Sequence, residues 1–123
     1  MERKLYVTSK ALKSGTRLIG ILSENGGKYK FEYKLGDYIP EWFLLLKDFP
    51  NISVEYTGKE VENFISRFVP DKDDKHLQGL LESANLKEYD VWEMLKAFGP
   101  RNKRDDAFIH ETLPEGVIIY EPI

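Results

Sequence analysis

The chain has 123 residues, 41 % hydrophobic and 13 % aromatic, enough to bury one core, and it has no cysteine, which excludes disulfides, thiolate zinc sites and cysteine nucleophiles and fits a reducing cytoplasm. Its net charge of -3 is uneven: residues 1–60 carry ten Lys/Arg against eight Asp/Glu, and residues 61–123 carry eight against thirteen. No basic face shows in the linear order, which argues against direct nucleic-acid binding. "WFLLL" at 42–46 is too short to span a bilayer, and no apolar run follows "MERK", the pattern of a chain without an export signal.

"KLYVT" at 4–8 opens the chain as a strand candidate. "RLIGIL" at 17–22 and "KYKFEY" at 28–33 flank "SENGG", and Tyr29, Phe31 and Tyr33 alternate with Lys28, Lys30 and Glu32. This spacing predicts a β-hairpin with one aromatic face, turned by Asn25, Gly26 and Gly27, which accept positive φ at little cost. "YIPEWFLLLKDFP" at 38–50 fits either a short helix opened by Pro40 or an extended run beside the sheet, and "ISVEY" at 52–56 is a further strand candidate.

The period then changes. Thr57 and Glu60 are spaced as a capping box before Val61, Phe64, Ile65 and Phe68, predicting a helix that Pro70 stops. A second helix is expected from about Asp73, with Leu77, Leu80, Leu81 and Ala84 on one side and Asp71, Asp73 and Asp74 at its N-terminus. Asp90 and Glu93 open a third, in which Val91, Met94, Leu95 and Phe98 face inward and Gly99 forms a left-handed C-cap. "VIIYEPI" at 117–123 returns as a last strand. The expected fold is α+β: a small antiparallel β-sheet or partial barrel packed with about three helices, residues 1–123 forming a single module.

Few residues suggest chemistry. His76 lies on the polar side of its helix, and His110, alternating with Phe108 and Thr112, reads as a strand or loop position at the core edge. No serine stands in a G-x-S-x-G context, and the acids at 71–74 lack the glycine and closing glutamate of a calcium loop. "SGT" and "NGG" lack the lysine of a phosphate loop, so both read as turns. These patterns argue against an enzyme, a metal site or a cofactor.

Arg67, set among Ile65, Phe68 and Val69, either extends to solvent or clamps a carboxylate. The preferred reading is a structural ion pair with Asp105 or Asp106. Arg101, Lys103 and Arg104 then remain for a partner. Trp42 and Phe43 either close the bottom of the sheet or anchor an interface, since Trp buries much area for few rotatable bonds. The candidate contact surface is therefore Trp42, Phe43, Arg101, Lys103 and Arg104.

The order "KLYV", "GTRLIGIL", "KYKFEY", "PEW", "VENFISRFVPD", a leucine-patterned helix, "YDVWEMLKAFG" and "RNKRDDAF" resembles the N-terminal subdomain of HipA-type kinases. In tripartite HipBST systems this module is a separate small antitoxin, HipS. The resemblance therefore implies a non-enzymatic, cytoplasmic protein that restrains a HipT-like serine/threonine kinase, with a HipB-like DNA-binding protein as a further partner. The chain stops where the kinase would begin, as expected of a stand-alone HipS-type antitoxin. It departs from the pattern in lacking a "PLSLSLPL"-like strand and in carrying "FISRFVPD" for "F-x-x-L-L-P". The stretch from "SRFVPD" to "RNKRDDAF" is also similar to a segment beside HIRAN domains, whose relatives bind DNA ends, and implies a nucleic-acid accessory module as the alternative. A mobile-element inhibitor of a host defence enzyme is the third reading, the acidic second half suiting a basic target.

Overall fold

The computed structural model describes residues 2–11, 15–35, 46, 48–101 and 107–120. Its architecture is α+β, with one five-stranded antiparallel sheet and three helices. The strands are β1 (Arg3–Ala11), β2 (Gly15–Asn25), β3 (Lys28–Tyr33), β4 (Tyr56–Thr57) and β5 (Ala107–His110), in spatial order β4-β3-β2-β1-β5. The helices are α1 (Lys59–Ile65), α2 (Leu77–Ser83) and α3 (Val91–Phe98), and α3 runs on into a 3-10 turn, Gly99–Arg101.

The hairpin of β2 and β3 forms where the alternation predicts it. Asn25 pairs with Lys28, so the turn residues are Gly26 at φ 60 and Gly27 at φ 84, and two successive positive φ values match the twist of the flanking strands. β2 also pairs with β1, in a register that jumps from Val7↔Gly20 to Thr8↔Leu18. Ile19 is the extra residue of this bulge. It is buried with the helix-side core, while Leu18 and Thr8 fall together on the other face.

The helix-side core is aromatic. Phe31 stacks on Phe49 at 4.2 Å and 9°, meets Tyr33 edge-on at 5.0 Å, and lies 5.9 Å from Phe64 of α1. Gly20 makes room for it: a Cβ there would stand 2.4 Å from Phe31 Cζ and 2.7 Å from the Glu32 carbonyl. The Tyr33 hydroxyl donates to the Phe49 carbonyl at 2.6 Å and accepts the Leu46 N–H at 3.0 Å, tying the return of the chain to β3. Burial pushes the Tyr33 phenol well above its ordinary range.

Several local expectations give way to tertiary context. "ISVEY" supplies only β4, because the Asn51 side chain accepts the Ser53 N–H at 2.8 Å and the Asn51 N–H donates to the Tyr56 hydroxyl at 2.7 Å, making a turn in place of a ladder. Thr57 is consumed by that strand, so α1 starts at an N-cap Gly58 with φ 67 and no side-chain cap. Its helical bonding stops at Ile65, ahead of Pro70, yet Phe68 and Val69 remain buried through the tighter turns that follow. α2 begins at Leu77 because Asp74 accepts the His76 N–H at 2.7 Å and holds the acidic stretch as a turn before the helix. The expected last strand is a single parallel bridge between Arg17 and Ile118, with residues 121–123 outside the described residues.

α3 follows its predicted start, since the Asp90 carboxylate accepts the Glu93 N–H at 3.2 Å. Asp90→Ala is expected to lower stability by about 1 kcal/mol through loss of this cap, readable as a lower urea midpoint at unchanged slope. Met94 and Leu95 are buried as predicted, with Val91 and Phe98 half-buried. Trp92 is buried as well, and the Arg3 guanidinium lies 4.9 Å over its ring while pairing with Glu24 at 2.6 Å.

Candidate functional site: the end of α3 and the outer sheet face

Gly99 does not take the left-handed conformation. At φ -56 and ψ -45 it continues the helical path, and the reason for glycine is space, because a Cβ would lie 2.6 Å from Ile109 Cβ and 2.7 Å from its carbonyl oxygen. The end of α3 is thus seated directly on β5. Pro100 and Arg101 follow at the surface, so Arg101 is presented, exposed, from a turn fixed to the sheet. Lys103, Arg104, Asp105 and Asp106, like Trp42 and Phe43, lie outside the described residues.

Arg67 has a partner that its sequence neighbourhood does not reveal. Its Nε stands 3.0 Å from Asp48 Oδ2, an ion pair of close charges without the alignment of a hydrogen bond. The pair joins the turn after α1 to the segment that Tyr33 also holds. The expectation of a carboxylate partner agrees with this contact, and the pairing with Asp105 or Asp106 lies outside the described residues.

The sheet has a second face, away from the helices. Strand alternation and register put Lys4, Tyr6 and Thr8 of β1, Ser23, Ile21 and Leu18 of β2, Lys28, Lys30 and Glu32 of β3, and Phe108 and His110 of β5 on it. The middle of this face is closed: Thr8, Leu18, Ile21 and Ser23 are buried. Around them stand the longer side chains, with Lys4 and Lys28 exposed and Tyr6, Lys30, Phe108 and His110 half-buried. At the hairpin end the face leads into a cleft of about 860 Å³, whose walls include Ser23, Lys28, Lys30 and Thr57 but also the carboxylates of Glu2 and Glu62.

His110 is a strand residue at the core edge, as its spacing predicts. Its Nε2 lies 3.0 Å from the buried hydroxyl of Thr8, and burial lowers its imidazole below the ordinary 6.5. Below that pH the unfolded chain binds more protons than the folded one, so stability falls as the solution is acidified through this range. Unfolding midpoints between about pH 5 and 6.5 should show this slope, and His110→Gln should flatten it. His76 is exposed, and among the described residues no group of three or more His, Asp or Glu is arranged to hold a metal ion. No helix of the described residues is long and apolar enough to cross a membrane.

Comparison with protein-family models, with curated sequences and with solved structures gives no match.

Proposed function

We propose that the chain is a non-enzymatic protein-interaction module: a cytoplasmic, HipS-like antitoxin that binds and restrains a HipT-like kinase, alongside a HipB-like DNA-binding partner. The observation that supports this reading is the order of elements, a β-hairpin sheet followed by three helices, with the end of the third helix seated on the last strand, in keeping with the β-rich module with helices that the resemblance implies. Arg101 supplies the first contact, because the close approach of Gly99 to Ile109 fixes the turn that carries it and little conformational entropy is lost on docking. In this reading Lys103 and Arg104, close to Arg101 in sequence, add positive charge to the contact, and Trp42 and Phe43 add apolar area. Inhibition needs no catalytic group. A module that binds the inactive arrangement of the kinase more tightly than the active one shifts the population toward it.

The test is co-expression of the tagged chain with a HipT-like kinase, followed by co-purification and a phosphorylation assay. A stable complex with suppressed phosphorylation, weakened at least tenfold by Arg101→Glu together with Lys103→Glu, is the expected outcome. Full kinase activity and no co-purification would remove the reading.

A further inference from the structure

We infer that residues 111–120 form a detachable strap, and that the stretch of β2 edge it covers accepts the same strand from a second copy of the chain, giving a strand-exchanged dimer. β1 lies between β2 and β5, the strand on which the Arg101 turn is seated, and the inference does not rest on the antitoxin reading.

The slot arises where β3 leaves the sheet. Over residues 15–18, β2 pairs with β1 along one edge, while β3 follows the other edge only to Gly20↔Tyr33, with one further bond from the Lys34 N–H to the Ile19 carbonyl at 2.8 Å. Beyond that point the outward backbone groups of Thr16 and Leu18 need another partner, and Ile118 supplies it. Its N–H donates to the Thr16 carbonyl at 3.0 Å, and its carbonyl accepts the Leu18 N–H at 2.9 Å. The bridge is parallel, which fixes the direction of a strand in the slot. Two residues on, the ring centroid of Tyr120 lies 5.6 Å from the guanidinium carbon of buried Arg17. An occupant therefore needs a backbone N–H at one position and an aromatic ring two positions later, and this chain's own segment is such a strand. Main-chain bonds give attachment and the ring gives register, as in other cases of strand addition to a sheet edge.

The attachment within one molecule is slight. Among the described residues the backbone bonds from the strap to β2 are those two, and Ile119 is 46 % exposed. Segments with few buried contacts open at a lower free energy than the sheet they rest on. Geometry then sets the choice between the strap's own slot and that of a second copy. His110 is level with Ile21 through Tyr6, and Ile118 is level with Arg17, so the strap crosses three strand spacings and runs from the level of residue 21 to that of residue 17. With strands about 4.8 Å apart and a rise of about 3.3 Å per residue, its ends are about 18–20 Å apart. The eight steps from residue 110 to 118 reach at most about 28 Å, enough for a path that clears β1 and β2, whereas five steps would reach about 17 Å and fall short. A strap shortened by three residues can fill only the slot of another molecule. Reciprocal filling keeps every contact of the monomer and closes as a two-fold dimer. At full length the tether holds the strap at an effective concentration in the millimolar range, so the unaltered chain favours the monomer below that concentration.

Deleting residues 114–116 from the full chain and measuring mass by light scattering after size exclusion tests the inference. The shortened chain is expected to dimerise at concentrations at least about tenfold below those the unaltered chain requires. Adding Ile118→Pro, which removes the N–H bonded to Thr16, should return it to a monomer. A shortened chain that is folded by circular dichroism and remains a monomer would overturn the inference. Two measurements on the unaltered chain decide the matter even where the deletion prevents folding. In amide hydrogen exchange, Leu18 and Ile118 should exchange at least about a hundredfold faster than Leu22, which is paired on both sides. Equal protection would mean that the strap does not detach. A peptide of residues 115–120, EGVIIY, added at about 1 mM, should shift the Leu18 amide resonance and leave that of Leu22 in place. No shift, or an equal shift from the same peptide carrying Ile118→Pro, would mean that the slot does not take a strand from a second copy.

Discussion

Phe31→Ala is expected to destabilise the protein by about 3–5 kcal/mol, the largest effect of any single truncation considered. Phe31 is fully buried and is the meeting point of three structural units, being stacked on Phe49, edge-on to Tyr33 of its own strand and against Phe64 of α1. Removing the ring forfeits its transfer free energy and leaves a cavity whose walls are held apart by the sheet and by the Tyr33 hydrogen bonds to the 46–49 segment. Domains of this size have about 5–15 kcal/mol in total, so the variant sits near the edge of folding. Urea unfolding monitored by circular dichroism provides the measurement, with Phe31→Leu, which keeps most of the volume, losing clearly less. A loss below about 1 kcal/mol for the alanine variant would mean that Phe31 does not hold the hairpin to α1.

Substitutions at Gly99 should rank with glycine most stable, alanine next and asparagine last, Gly99→Ala costing about 1–3 kcal/mol. The ranking separates two explanations of the same residue. A left-handed cap would favour asparagine over alanine, since asparagine tolerates that conformation. The structure instead puts Gly99 in right-handed helical geometry, with the room for a Cβ taken by the backbone and Cβ of Ile109. Alanine recovers up to about 1 kcal/mol of helix propensity but must push α3 off β5, and asparagine, with a larger side chain, pushes further. Thermal or urea midpoints for the three proteins decide the matter. The Arg101-dependent contact proposed above should weaken in parallel, because its turn would lose its seat on the sheet.

Local pattern carried far in this chain wherever a segment's own chemistry met no competitor. The alternating lysine and aromatic residues of 28–33 with two glycines at the turn specify the hairpin, and Asp90 with Glu93 specify the start of α3. The apolar stripe Val61, Phe64, Ile65 and Phe68 is buried even though the helical bonding stops sooner than the pattern suggests. Trp92 lies outside the stripe expected for α3 because its burial is set by the tertiary core it joins, with Arg3, almost ninety residues away in sequence, over its ring.

The sequence by itself determined an α+β domain, the hairpin, the faces of the helices and the residues able to form its core, because periodicity and turn chemistry act over a few residues. Only the tertiary structure decided which charges share a surface and which carboxylate Arg67 meets, and it gave Gly99 its reason for being glycine. Asp48 lies nineteen positions before Arg67, and Lys4 and Lys30 are brought to either side of Ser23 by a register that no local signal specifies. Pairings of that kind are set by which strands lie next to one another, and that order follows from the burial of the whole aromatic core.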